Sequence, residues 1–135
     1  LMERVRYDAA FMFAYSLRER THAHRHYEDD VPAELKNRRL QEVIATFERV
    51  AAQKHRELVG TDAVVLVEGA SRKDAADLQG RADNNLRVVF PAAPLAHGVR
   101  PAPGDYVRVR VEHASSHTLI GRALHRCDVT GAAVD

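Results

Sequence analysis

The chain has 135 residues, 45% hydrophobic and 29% charged, with a formal net charge of +1. That length bounds it to one domain, or one small domain with an attached piece, and the apolar fraction suffices for a packed core. The near balance of charge offers no bulk attraction to nucleic acid or membrane, so any such surface must come from local segregation, and no apolar run approaches the roughly 20 residues that cross a bilayer.

The N-terminus, LMERVRYD, lacks the apolar core of a secretory signal. Leu1 ahead of Met2, running straight into strand-like sequence, reads as a cut end rather than a natural start. Residues 7–16, YDAAFMFAYS, are short, apolar and aromatic. The alternation of Phe11, Phe13 and Tyr15 predicts a buried strand. Such a strand needs neighbours on both sides, which nothing nearby supplies, so it is a fragment of a larger sheet or docks elsewhere.

LRERTHAHRHYEDD has no apolar period and reads as a loop. His22, His24 and His26 would share a face in a strand, but no second ligand cluster accompanies them and no metal site is expected. The clearest helix signal follows. Glu28, Asp29 and Asp30 precede Pro32, whose fixed φ suits a first helical turn, and Glu34 comes next. Leu40, Val43, Ile44, Phe47, Val50 and Ala51 then form one apolar stripe, and Gly60 ends the element. The pattern predicts a helix over residues 32–57, long enough to bridge two domains.

From Asp62 the period changes to two. AVVLVEG is a strand, SRKDAADLQGR a polar loop, LRVVF a strand, and PAAPLAHGVRPAPG a Pro- and Gly-rich excursion. DYVRVRVEHAS alternates strictly, with Val107, Val109 and Val111 facing one way and Arg108, Arg110 and Glu112 the other. HTLIGRAL is the last strand, and HRCDVTGAAVD reads as a frayed tail. About five short strands in this space suit a small antiparallel barrel of the OB-like type. Cys127, the single cysteine, excludes an internal disulfide framework, fits a reducing compartment and cannot by itself hold an iron–sulfur cluster. Lying in the tail, it is expected to be inert.

Several polar clusters are candidates for binding an anion. Arg108 and Arg110 repeat at strand spacing, about 6.6 Å along one face, and Arg87 and Arg122 are expected to share that surface. Guanidinium groups so placed suit successive phosphates, although a solvated outer face gives the same pattern. Few aromatics are available for base stacking, so contacts to backbone and shape are expected instead. Arg81 and Arg87 flank Asn84 and Asn85, which have a turn role in their own right. Arg72 and Lys73 stand in the ASRKD loop; Ser115, Ser116 and Thr118 are hydroxyl donors in the HASSHT bend, with His113 and His117 adding conditional charge. No Ser-His-Asp arrangement, P-loop or paired acid–base carboxylates are present.

Four stretches carry a resemblance. AFMFAYSLRERT, DDVPAELKNRRLQEVI, LVEGASRKDAADLQGRADNNLRVVFP and GDYVRVRVEHASSHTLIGRAL, in that order and spacing, resemble the C-terminal part of the radical-SAM tRNA methylthiotransferases, the MiaB-type enzymes. Within them the chain is most similar to the eukaryotic branch named after the cyclin-dependent-kinase regulatory-subunit-associated protein 1. The resemblance covers residues 8–125. It implies that residues 1–31 end the radical-SAM (β/α) barrel, that 32–57 form the connecting helix, that 58–126 form a five-stranded TRAM barrel holding tRNA, and that 127–135 are a disordered tail.

By the same resemblance the parent enzyme methylthiolates N6-isopentenyladenosine beside the anticodon, using two 4Fe–4S clusters and S-adenosylmethionine. Its cluster cysteines are absent here, so this chain binds no cofactor of its own. Bacterial members read S-x-R-x-G-T-P-A where this chain has Ser16-Leu17-Arg18-Glu19-Arg20-Thr21-His22-Ala23. Ser16, Arg18 and Thr21 would border the cofactor site by position alone. The implied partners are the tRNA anticodon arm and the upstream catalytic domains, with no membrane. The compartment is mitochondrial or cytoplasmic, the resemblance favouring the former. Arg81, Arg87, Arg108 and Arg110 are expected to contact phosphate, assisted by Asn84, Asn85 and the Ser115–Thr118 bend, with Arg72, Lys73, His117 and Arg122 nearby. The alternatives are a stand-alone TRAM-type RNA-binding module without catalysis and a protein-interaction domain.

Overall fold

The computed structural model describes residues 1–95 and 98–134, so part of the expected excursion after β3, and Asp135 of the tail, lie outside the described residues. Three helices, α1 (Met2–Val5), α2 (His22–His26) and α3 (Ala33–Arg56), precede five strands. These are β1 (Asp62–Ala70), β2 (Asp77–Ala82), β3 (Arg87–Pro91), β4 (Tyr106–Ala114) and β5 (Thr118–Cys127). Among the described residues no helix is long and apolar enough to cross a membrane.

The strands close into a barrel in the order β1-β2-β3-β5-β4. Four pairings are antiparallel, while β3 and β5 run parallel, with Arg87 beside Thr118 and Val89 beside Ile120. The expected all-antiparallel barrel is corrected here, and the reason is parity: an odd number of strands cannot alternate direction all the way round a closed ring. Register shifts at Val67/Gly69, Arg108/Val109 and Val111/His113 supply the local bending that closure needs.

Inward positions alternate along the strands as the valine pattern predicts. Val65, Val67, Val88, Phe90, Val107, Val109, Val111 and Leu119 are buried together. Two glycines let backbones approach inside this core. A Cβ on Gly121 would press on the Arg110 carbonyl oxygen and the Val109 side chain, and one on Gly80 would press on the Leu66 carbonyl.

The helix α3 begins directly after Pro32 (φ −56°), close to the expected boundary. Only the second half of its apolar stripe is sealed: Phe47, Val50 and Ala51 are buried, with His55 one turn further on. Val43, in the first half, stays exposed. Its last turn runs into Gly60, whose N–H donates to the Val111 carbonyl (2.8 Å) and so seats the helix on β4.

Three further expectations are corrected. The stretch SRKDAADLQGR, expected to be a polar loop, carries most of β2, Asp77–Ala82, which pairs with both β1 and β3. Residues 7–16 form no strand, and Phe11 and Phe13 are 88% and 84% exposed. A strand needs a ladder, and the closed barrel has no open edge to offer. The segment is instead tied to α3 at its start by Lys54–Asp8 (2.7 Å), and the residues before it by Arg49–Glu3 (2.6 Å) and by Arg6 with Glu57 at the end of the helix (2.6 Å). The tail after Cys127 is not frayed within the described residues. The Asp128 carboxylate accepts from the Thr130 hydroxyl (2.6 Å), the Thr130 N–H and the Ala132 N–H, folding the chain back so that Ala133 bridges Cys127. Those bonds, the Thr130 hydroxyl foremost, hold its carboxyl below the usual aspartate range, while burial pushes the Cys127 thiol up.

The Gly121→Ala variant is expected to lose about 1–3 kcal/mol of stability by overpacking against backbone. Ile120→Ala, at the neighbouring outward position, should cost under about 0.5 kcal/mol. Urea unfolding of both variants checks the pair.

Candidate nucleic-acid interface

The outward side chains of the barrel divide into two faces with different electrostatics. On the β1–β4–β5 face, Asp62, Arg110 and Arg122 stand in one row across the three strands. Arg110 Nε donates to the Asp62 carboxylate, and Arg122 Nε lies 3.5 Å from Glu112. Arg108 turns its guanidinium onto the folded tail, donating to the Gly131 carbonyl at 2.6 Å. Of the four arginines expected to share one open phosphate surface, these three are therefore engaged within the chain, and Arg87 lies in the groove on the other face. The hydrogen bond from Arg110 holds the Asp62 carboxyl below its ordinary range, and the same bond raises the Arg110 guanidinium.

The β2–β3–β5 face is different. A groove of about 420 Å³ runs over it, between the loop after β1 and the β4–β5 bend. Arg72 and Lys73 enter from the loop, Arg87 from β3, and Ser115 and Thr118 from the bend, with His113 at the end of β4. Segments separated by tens of residues thus converge on one surface. Asp77 is the single carboxylate in the lining, and among the described residues Arg72, Lys73 and Arg87 make no ion pair. Gln79, Val89 and Ile120 complete the floor, and Ile120 is 48% exposed. These three were missed as interface residues. The signal was their place in the alternation, since each neighbours an inward residue or glycine and must point outward.

A second, smaller crevice of about 210 Å³ adjoins the groove at Arg87. Arg81, Asn85, Ser116 and His117 line it together with Asp8, Ala9, Ala10, Phe11 and Phe47, Asp8 being its one carboxylate. Arg81 and Arg87 sit directly opposite each other in the β2–β3 ladder, an arrangement of like charges that is unfavourable without a counterion. Arg81 is drawn partly aside, donating to the Asn85 carbonyl (2.9 Å) and lying 3.7 Å from Glu68.

The turn between these arginines has its own local chemistry. Asn85 takes the left-handed conformation (φ +61°), and the Asn84 side-chain oxygen accepts from the Leu86 N–H at 3.2 Å. In the bend, the Ser115 hydroxyl accepts from the N–H groups of His117 (3.2 Å) and Thr118 (3.0 Å) and donates to the Thr118 carbonyl. The three hydroxyls therefore do not act alike, since Ser115 is spent on the bend itself.

Ser16, Arg18 and Thr21 line neither the groove nor the crevice. Thr21 caps α2, accepting from the His24 N–H (3.2 Å) and donating to the Arg18 carbonyl (2.8 Å). In that single turn His22 and His26 stack, ring centroids 4.1 Å apart, as helical neighbours rather than as one face of a strand. Among the described residues no group of His, Cys, Asp or Glu is arranged to hold a metal ion.

A small closed barrel seated on the end of a long helix, with a basic groove across its β2–β3–β5 face, now has a family to be set beside. The TRAM domain model matches residues 56–124, from the end of α3 to the middle of β5. The chain belongs to the TRAM domain family. Over 132 residues it is 46% identical to the mitochondrial tRNA methylthiotransferase CDK5RAP1 of Homo sapiens, an alignment covering 93% of this chain and 22% of that protein. A CDK5RAP1-like protein of Oryza sativa is 39% identical over 137 residues, covering 96% of this chain and 23% of the relative. The tRNA-2-methylthio-N(6)-dimethylallyladenosine synthase of Bacteroides fragilis is 46% identical over 121 residues, covering 90% and 25%. The chain thus spans a quarter or less of the length of these curated relatives. The folded tail beyond Cys127 lies outside the TRAM match, yet Arg108 on β4 of the TRAM barrel is held by it.

The Asp62–Arg110 bond predicts an acid response of the TRAM barrel. A carboxyl held below its unfolded value contributes stability that is full above about pH 4 and is lost as pH falls through the lowered folded value. Asp62→Asn is therefore expected to lower the urea midpoint at pH 7, with the gap to the parent chain narrowing as pH falls below about 4.

Proposed function

We propose that this chain is the C-terminal, tRNA-gripping part of a tRNA methylthiotransferase acting on N6-isopentenyladenosine beside the anticodon. In this reading residues 1–31 end the radical-SAM barrel, 32–57 are the connecting helix and 58–126 are the TRAM domain. The observation that carries it is the groove on the β2–β3–β5 face. Arg72, Lys73 and Arg87 gather there without ion-pair partners among the described residues, beside hydroxyl and amide groups suited to phosphate and sugar. Arg87 also lines the crevice, where Arg81 and Asp8 bring charge of both signs. Arg108, Arg110 and Arg122 are satisfied within the chain and contribute little to the grip.

Catalysis belongs to the rest of such a protein. A radical-SAM cluster needs several thiolates, whereas this chain's one thiol, Cys127, is buried beneath the folded tail. The residues here do not fit a cluster, and no chemical step is assigned to them. Their role is to bind the anticodon arm and hold it in register with a centre built upstream. The exposed Phe11 and Phe13 support a larger protein over a stand-alone RNA-binding module, because more chain would cover them. The names of the mammalian relatives favour a mitochondrial setting over a cytoplasmic one.

Titration of a fluorescent anticodon stem–loop RNA against salt tests this assignment. Affinity is expected to fall linearly on a log–log plot, with Arg87→Ala and Arg72→Ala each making the slope shallower by about one. Arg110→Ala should leave the slope unchanged. Binding indifferent to salt, or a slope reduced by Arg110→Ala alone, would sink the groove as the RNA site.

A further inference from the structure

His55 lies at the end of α3 with none of its surface exposed, the only buried polar side chain of the described residues. Its Nδ1 stands 2.9 Å from the Ser115 carbonyl oxygen. A carbonyl can only accept, so Nδ1 must carry the proton and donate. Nε2 has no hydrogen-bond partner, and the Asp8 carboxylate stands 3.8 Å from it. An imidazole with one nitrogen unpaired is a costly way to fill apolar space, which a leucine would fill without penalty. What a leucine could not do is hold Ser115.

Ser115 is where the bend is organised. Its hydroxyl gathers the N–H groups of His117 and Thr118, and its carbonyl points back to the helix. Ser115 and Thr118 wall the groove, whereas Ser116 and His117 wall the crevice. The helix grips this bend a second time two turns earlier, where the His117 ring lies against Phe47 with centroids 6.0 Å apart. On the other side, Lys54 holds the N-terminal segment, donating to Asp8 (2.7 Å) and to the Arg6 carbonyl (2.8 Å).

We propose that His55 is a positioning residue that fixes the β4–β5 bend for RNA, and that with Lys54 it makes the last turn of α3 the joint between that bend and the segment preceding the helix. The inference deepens the reading of the groove as an RNA interface and rests on it for its functional half. His55 bonds the bend and Lys54 the N-terminal segment, one residue apart, while Asp8 stands 3.8 Å from His55 Nε2 and Ala9, Ala10 and Phe11 share the crevice with Ser116 and His117. A shift of the last helical turn therefore moves both, and RNA held against the bend is registered to whatever precedes the helix.

The test uses the intact protein with His55→Leu, which removes the donor, and His55→Asn, whose amide N–H replaces Nδ1–H. Two quantities are read at a temperature where every variant is fully folded: exchange rates of the His117 and Thr118 amides, and affinity for the anticodon stem–loop RNA. The expected result is exchange faster by tenfold or more and RNA binding weaker by about five- to tenfold in His55→Leu, with both largely restored in His55→Asn. Equal losses in the two variants would show that packing alone matters and overturn the proposal, as would a His55→Leu protein with unaltered exchange and affinity. Should His55→Leu fail to fold, the imidazole nitrogen chemical shifts of the unmutated protein decide: Nδ1 must be the protonated nitrogen, and an Nε2–H neutral ring would end the proposal. If the unmutated protein binds no RNA, the functional reading fails, while the exchange rates still report whether His55 holds the bend.

Discussion

Closure of five strands into one ring is the constraint from which the surface chemistry follows. Because direction cannot alternate around an odd ring, at least one neighbouring pair must run the same way; here it is β3 and β5, and this parallel contact places Arg87 beside Thr118. No hairpin joins these strands. The chain reaches β5 only after leaving β3, crossing to pair with β1 and turning back through the Ser115 bend. The loop after β1 and the bend after β4 therefore flank a face that no local sequence relationship connects. A basic groove assembled from such distant pieces forms only when the barrel does, so its affinity for an anion is a property of the folded state alone.

Charge partners are distributed by register rather than by composition. Arg110 faces Asp62 because β1 and β4 pair at those positions, and Arg122 stands next in the same row. On the other side of the ring, β2 and β3 set Arg81 against Arg87; Arg81 leans to Glu68 at 3.7 Å, which leaves Arg87 without an ion pair among the described residues. A chain of net charge +1 thus presents one self-satisfied face and one with uncompensated guanidinium. Long-range attraction is weak, and short-range attraction is confined to one groove.

Much of the architecture was legible from periodicity. The helix predicted over 32–57 is observed as Ala33–Arg56, and Val107, Val109 and Val111 face inward as their alternation requires. His55 was readable too, since it continues the stripe one turn beyond Ala51, although a histidine there gives no sign of which carbonyl it meets. What local pattern could not supply was pairing. The strand expected at 7–16 has the right residues and no ladder to join. The tail folds because Asp128 collects three donors from the next four residues and Arg108 reaches it from 23 positions away. Arg108, Arg110 and Arg122 were placed on the outer face correctly, but whether an outward arginine is free or paired depends on the strand that lies beside it. The groove residues Arg72, Lys73, Arg87, Ser115 and Thr118 could be named from sequence, whereas their meeting on one surface could not.

The ring leaves no open strand edge, so the barrel cannot be lengthened by adding a strand from another molecule. The segment before the helix is its opposite: aromatic, and without ladder partners along residues 9–18. Within one chain, then, resistance to intermolecular β-pairing and readiness for it sit at opposite ends of a single helix. A strand laid against that segment by further chain would leave the ring of the barrel intact and the groove on its β2–β3–β5 face open to solvent.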